Sequence, residues 1–125
     1  HHLLLNCTEI QDKGIYKVNP PLRSKADQNA LIRGIKDGTI DMIATDHAPH
    51  DDKEKLGNLA NSAFGIASLD YAFPLLYTNL VKKNIIDLNK LINLMSINPA
   101  KRFKLQTNEI ALGPNAHESR LLWLN

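Results

Sequence analysis

Cysteine is almost missing from this sequence: Cys7 stands alone among 125 residues. One thiol cannot build an intrachain disulfide framework, so a reducing compartment, the cytoplasm, is expected. No apolar run approaches the length that spans a bilayer, and no basic leader with a cleavage site is present, so no membrane partner is expected. Charge of one sign is also scarce. The formal net charge is +2 and the lysines are scattered, which argues against a nucleic-acid surface. Internal repeats and low-complexity stretches are absent. So is an initiator methionine, because the chain opens on "HHLLL", readable as the remnant of a tag or as a strand of a longer protein.

What is present is ordinary globular material. The sequence is 43% hydrophobic and 22% charged, which excludes the disordered and fibrous classes and suits one domain with a real core. "HHLLLNC" reads as a short buried strand, and "GIYKVNPPLR" as a second one stopped at Asn19 by a double proline that cannot donate to a ladder. "SKADQNALIRGIKDG" predicts a helix. Ser24 with Asp27 resembles a capping box, Ala26, Ala30, Leu31, Gly34 and Ile35 form one face, and Gly38 supplies the stop. "TIDMIAT" completes a strand–helix–strand order of parallel α/β character.

A polar stretch without periodicity follows, residues 47–62, of the length that usually forms a functional lid or a disordered connection, and as a lid it would be mobile with no substrate bound. Within it the run Lys53–Glu54–Lys55 reads as solvated loop. "SLDYAFPLLYTNLVKK" predicts an amphipathic helix on Leu69, Ala72, Phe73, Leu76, Tyr77 and Leu80. "DLNKLINLMS" predicts another from an Asp87 cap, and "NPAKRF" a short turn from Pro99. The tail from Leu105 to Asn125 is strand-like and broken by Gly and Pro, with His117 as a surface residue.

The chemistry gathers where predicted strands end, as it does in parallel α/β folds. "IDMIATDHAPH" runs from three β-prone residues into Asp46, His47 and His50. Asp46 suits a metal ligand and proton carrier, or a plain turn former. His50 suits a ligand or a donor to an anionic substrate, and the Asn19 amide can read a carbonyl and an N–H together. Arg23 suits a substrate carboxylate or, more simply, a structural ion pair. His1 and His2 fit a tag, ligands or strand residues.

"HHLLL", "KVNPPLR", "GTIDMIATDHAPH", "FGIASLDYAFPLLYT" and "SINPAKRF" together resemble, in this order, the C-terminal portion of bacterial dihydroorotases. These are the first-class, allantoinase-like members of the amidohydrolase superfamily. The resemblance runs from about Leu3 to Phe103 and makes "HHLLL" the family's own strand rather than a tag. It implies a (β/α)8 TIM barrel of the amidohydrolase type, with residues 1–104 as its last strands and helices. Residues 105–125 would be a segment of a small β-sandwich. It implies reversible cyclisation of N-carbamoyl-L-aspartate to L-dihydroorotate in pyrimidine synthesis, by hydroxide bridging two zinc ions. Of the family's metal ligands only the Asp of "TDHAPH" is matched, by Asp46, which would also shuttle the proton. Asn19 and His50 match substrate-binding positions, and the backbone of Phe64 and Gly65 lies where the family closes over the substrate ring. His1 and His2 fall outside the metal positions.

About three barrel strands cannot close a barrel, so the resemblance makes the sequence a fragment whose partner is the N-terminal half of the same enzyme. Alone it would retain no zinc pair and would associate through its unpaired strands. A homodimer and aspartate transcarbamoylase are the further expected partners. Ser68, Asp70 and Tyr71 depart from the family's usual Gly, Glu and Thr. Two other readings stand beside the active enzyme. One is an inactive homologue that scaffolds aspartate transcarbamoylase; the other is an allantoinase or hydantoinase, against which Asn19 speaks.

Overall fold

The computed structural model describes residues 1–106. Its most locally determined element is α1 (Lys25–Asp37). The expected capping box is formed: the Asp27 carboxylate accepts from the Ser24 N–H at 3.1 Å, and Ser24 Oγ accepts from the Asp27 N–H at 3.2 Å. Gly38 ends the helix at φ 87, a left-handed conformation that costs glycine nothing. The buried face is narrower than predicted. Gly34 and Ile35 are buried, Ala26 and Ala30 are exposed, and Gln28 is buried instead.

Gln28 is buried because it carries bonds that an alanine could not. It accepts from Asn6 Nδ2 at 3.3 Å and from Lys25 Nζ at 2.8 Å, and it donates to the Leu3 carbonyl at 3.0 Å. A buried amide so satisfied stabilises where an unpaired one would cost. These bonds hold the N-terminal segment against α1.

Short helix α2 (Asp52–Lys55) follows in the polar stretch. Then α3 (Leu69–Leu76) runs into a π-helical turn, Tyr77–Val81, as the predicted amphipathic helix requires. Pro74 lies inside α3, where it lacks an N–H for the carbonyl one turn back. Beyond it the bonding widens, with the Lys82 N–H on the Tyr77 carbonyl at 2.9 Å. The Asp87 cap is also as expected, accepting from the Lys90 N–H at 2.6 Å and starting α4 (Leu88–Ile92). A second π-helical turn, Asn93–Ile97, carries the chain into α5 (Asn98–Phe103), so "NPAKRF" continues the helix where a turn was predicted.

Leu76, Leu80 and Leu91 form the core of this helical pair, and Leu3, Leu4, Ile43, Tyr77 and Met95 pack on it. Leu69 and Phe73, expected on the buried face, stay exposed.

The three predicted strands are not formed among the described residues. The N–H groups of Leu4 and Leu5 turn back to the His1 carbonyl, and Gly14–Tyr16 is a 3-10 turn. The Ile43 N–H goes to the Leu94 carbonyl of the helical layer at 2.9 Å. Apolar alternation supplies a face to bury, but a strand exists only when a second strand takes its hydrogen bonds. The one strand-type contact among the described residues is a parallel bridge between His47 and Ile66. The expected strand-like tail, its β-sandwich role and His117 lie in residues 107–125, outside the described residues, apart from exposed Leu105 and Gln106.

Candidate active site

Asp46 sits at φ 50, in the left-handed region that aspartate tolerates better than most residues. The backbone reversal there aims the following residues at the start of α3. His47 Nδ1 accepts from both the Ser68 and Leu69 N–H groups, each at 3.0 Å. Ser68, whose side chain makes no cap, donates instead to the Thr45 carbonyl at 3.0 Å. His47 is therefore the cap of α3, supplied from outside the helix, and satisfies donors that a helix leaves open. Asp46, His1, His2, Thr45, Ser68 and Tyr71 line one cavity of about 390 Å³, whose other walls are apolar side chains, mostly from the N-terminal segment, α1, residues 40–44 and α3. Burial holds the His2 imidazole below its ordinary pKa, and the Asp46 charge opposes this.

The polar stretch is tied down rather than loose. Lys55 Nζ donates to three carbonyls, Ala63 and Gly65 at 2.8 Å each and Lys17 at 3.2 Å. An ammonium has three protons, so this group is saturated. Burial lowers the Lys55 pKa, and the charge of Lys17 lowers it further. His50 Nε2 lies 2.7 Å from the Phe64 carbonyl, and its Nδ1 lies 3.2 Å from Glu54 Oε2. Both partners only accept, so a ring nitrogen bonds to its partner only when it carries a proton. Glu54 also accepts from the Asp51 N–H at 3.2 Å, closing a capping box with Asp51 at the start of α2.

Gly65 is the pivot. It has φ +138, its N–H donates to the Lys17 carbonyl at 2.9 Å, and an added Cβ would lie 2.6 Å from Ala48 Cβ and from the Ala48 carbonyl oxygen. Only glycine suits that conformation at that proximity. The Phe64 ring is exposed and lies under Lys17 Nζ, 4.4 Å from the ring centroid.

The expected site residues thus come together in part. Residues 63–66 join His50 through the Phe64 carbonyl, the turn at Asp46 through the His47–Ile66 bridge, and the segment before Asn19 through Lys17. Asn19 itself is exposed, and its side chain makes no hydrogen bond among the described residues. Lys55, expected as solvated loop, is a half-buried tie. The sequence does signal the short helix that carries it: Asp51 and Glu54 have capping-box spacing, and His50 and Glu54 are one helical turn apart. Neither pattern would have shown that Lys55 reaches the carbonyls of residues 17, 63 and 65.

The described residues do not by themselves fit a metal pair. No group of three His, Cys, Asp or Glu side chains among them could hold an ion. His47 Nδ1 and both His50 nitrogens are engaged elsewhere, while Asp46 shares its cavity with His1 and His2, which with it do not form a group able to hold an ion. No helix among the described residues is long and apolar enough to cross a membrane.

The sequence is 55% identical over 117 residues to a dihydroorotase of Lactobacillus leichmannii, covering 93% of this chain and 27% of that protein. It is 52% identical over 118 residues to a dihydroorotase of Brevibacillus brevis, covering 93% and 28%. The chain therefore spans about a quarter of the length of the curated relatives it matches. Among solved structures, an L-hydantoinase (dihydropyrimidinase) from Arthrobacter aurescens superposes with a TM-score of 0.80 at 26% identity, covering 95% of this chain and 27% of the other. The profile of the "Amidohydrolase family" matches residues 8–117, which is most of the sequence, and the chain belongs to that family.

Proposed function

We propose that the enzyme containing this chain is a dihydroorotase, interconverting L-dihydroorotate and N-carbamoyl-L-aspartate in cytoplasmic pyrimidine synthesis. The observation that carries this reading is the identity of about half with curated dihydroorotases, over an alignment that contains Asn19, Asp46, His50, Phe64 and Gly65. Within it, residues 1–104 are the closing part of a (β/α)8 barrel and residues 105–125 a segment of a small β-sandwich. The missing pairing partners of residues 3–7, 14–19 and 39–45 are then strands of the same enzyme. The 390 Å³ cavity beside Asp46 is the inward face of the barrel.

In the hydrolytic direction water adds to the ring carbonyl, the ring C–N bond breaks, and the departing nitrogen takes a proton. In this reading Asp46 holds that proton and returns it, a role supported by its position in the cavity lining at a turn with φ 50. Asn19, with an exposed and uncommitted amide, reads the ring's carbonyl and N–H. His50 meets the substrate carboxylate by exchanging the neutral Phe64 carbonyl on Nε2 for a charged acceptor, the stronger bond of the two. Phe64 and Gly65 present backbone to the ring. Zinc is part of the proposal for the whole enzyme. Asp46 would be one ligand and the others would come from beyond the described residues.

The test is turnover by the full-length enzyme of dihydroorotate, hydantoin and allantoin side by side. Dihydroorotate hydrolysis is the expected result. Turnover of hydantoin or allantoin alone would make the enzyme a cyclic amidase of the hydantoinase kind, and no turnover of any would overturn the enzymatic reading.

A further inference from the structure

Three consecutive carbonyls, those of Ala63, Phe64 and Gly65, are all held by side chains from one short segment. Lys55 takes the first and third, and His50 takes the middle one. The Lys17 carbonyl, two residues before Asn19, accepts from both Lys55 Nζ at 3.2 Å and the Gly65 N–H at 2.9 Å. One ammonium, together with the Gly65–Lys17 backbone bond, therefore ties the two stretches of backbone that the proposed function sets against the substrate. Nothing else among the described residues links Ala63 or Gly65 to Lys17 through a side chain.

We infer that Lys55 is a positioning residue for substrate recognition. Its ammonium clasps the Phe64–Gly65 backbone to the segment that carries Asn19, and so sets the width of the substrate slot without touching the substrate. The inference rests on the dihydroorotase reading for the identity of the substrate, but the clasp itself is a property of the ligand-free protein. The geometry favours ammonium over any neutral replacement. Three acceptors converge on one nitrogen, a demand that methionine cannot meet and that the flat fork of arginine, with its protons pointing apart, meets poorly.

A clasp of this kind acts on binding. Loosening it lets the slot sample wrong widths in the free enzyme, so substrate affinity falls, while the proton carrier Asp46, on a different segment, is undisturbed once substrate is bound. Lys55→Met in the full-length enzyme should raise KM for dihydroorotate about tenfold or more and leave kcat within about threefold. Exchange of the Gly65 amide should accelerate in the same variant without substrate. Lys55→Ala should regain affinity when n-propylammonium, the missing part of the side chain, is added. Tetramethylammonium has the charge but no N–H and should not restore it.

A KM within twofold of wild type in a folded Lys55→Met variant would overturn the inference. So would an unchanged Gly65 exchange rate, or equal rescue by tetramethylammonium. Where the methionine variant does not fold, Lys55→Ala prepared in propylammonium gives the same readouts on withdrawal of the amine. Wild-type turnover of dihydroorotate tests the functional reading separately, and the Gly65 exchange rate judges the clasp whatever substrate the enzyme takes.

Discussion

Gly65→Ala is a sharp test of how the candidate site is built, because the structure states what a methyl group would meet. The backbone sits at φ +138, and the new Cβ would lie 2.6 Å from both the Cβ and the carbonyl oxygen of Ala48. Forcing an L-residue into that region costs about 1–3 kcal/mol. Crowding one carbon into a filled position typically costs another 1–3 kcal/mol or so. A total near 2–6 kcal/mol of local destabilisation follows, or roughly 30-fold to more than ten-thousandfold in the opening equilibrium. The assay is hydrogen exchange of the Gly65 amide, which bonds to the Lys17 carbonyl, and of the Ala48 amide, which bonds to the Ile66 carbonyl. Both should lose protection together. Adding Ala48→Gly removes the methyl contact but neither the carbonyl contact nor the φ, so the double variant should recover only a minor share. A loss of protection under about fivefold, or full recovery by Ala48→Gly, would refute the reasoning.

Asp46→Asn in the full-length enzyme should abolish turnover, to under a few per cent, with the fold retained by circular dichroism, because the amide keeps the shape but cannot carry the proton. Asn19→Ala and His50→Ala should instead weaken binding of the carboxylated substrate, and wild-type constants in both would remove those residues from the site. His47→Ala should fray the start of α3, read as faster exchange of the Ser68 and Leu69 amides, which bond to His47 Nδ1. An acid titration should expose the α1 cap. Hydrogen bonds from Ser24 lower the Asp27 pKa below 3.8, so its contribution is present above 3.8 and lost as pH falls through the folded value. Ser24→Ala should flatten that part of the stability profile, and an unchanged profile would count against the box.

The elements legible from the residues alone are those whose cause lies within four positions. Ser24 and Asp27 cap α1 and Gly38 ends it, Asp87 starts α4, and each occurs where the residues point, because a cap needs only its own neighbours. The family was legible for a different reason: "NPPLR" and "TDHAPH" at their spacing form a pattern that no single turn explains. The tertiary structure decided everything that depends on a distant partner. Three apolar stretches carry strand character, but whether they pair depends on chain segments they must meet. Among residues 1–106 the first turns back on itself, the second bonds to Gly57 and Gly65, and the third bonds to the helical layer at Leu94. The helix-capping role of His47 depends on α3 arriving about twenty residues later in the chain. Lys55 looked like one more solvated lysine because its three acceptors are spread from residue 17 to residue 65. A side chain's reach is local in space but not in sequence, so only the folded backbone could reveal where its charge is used.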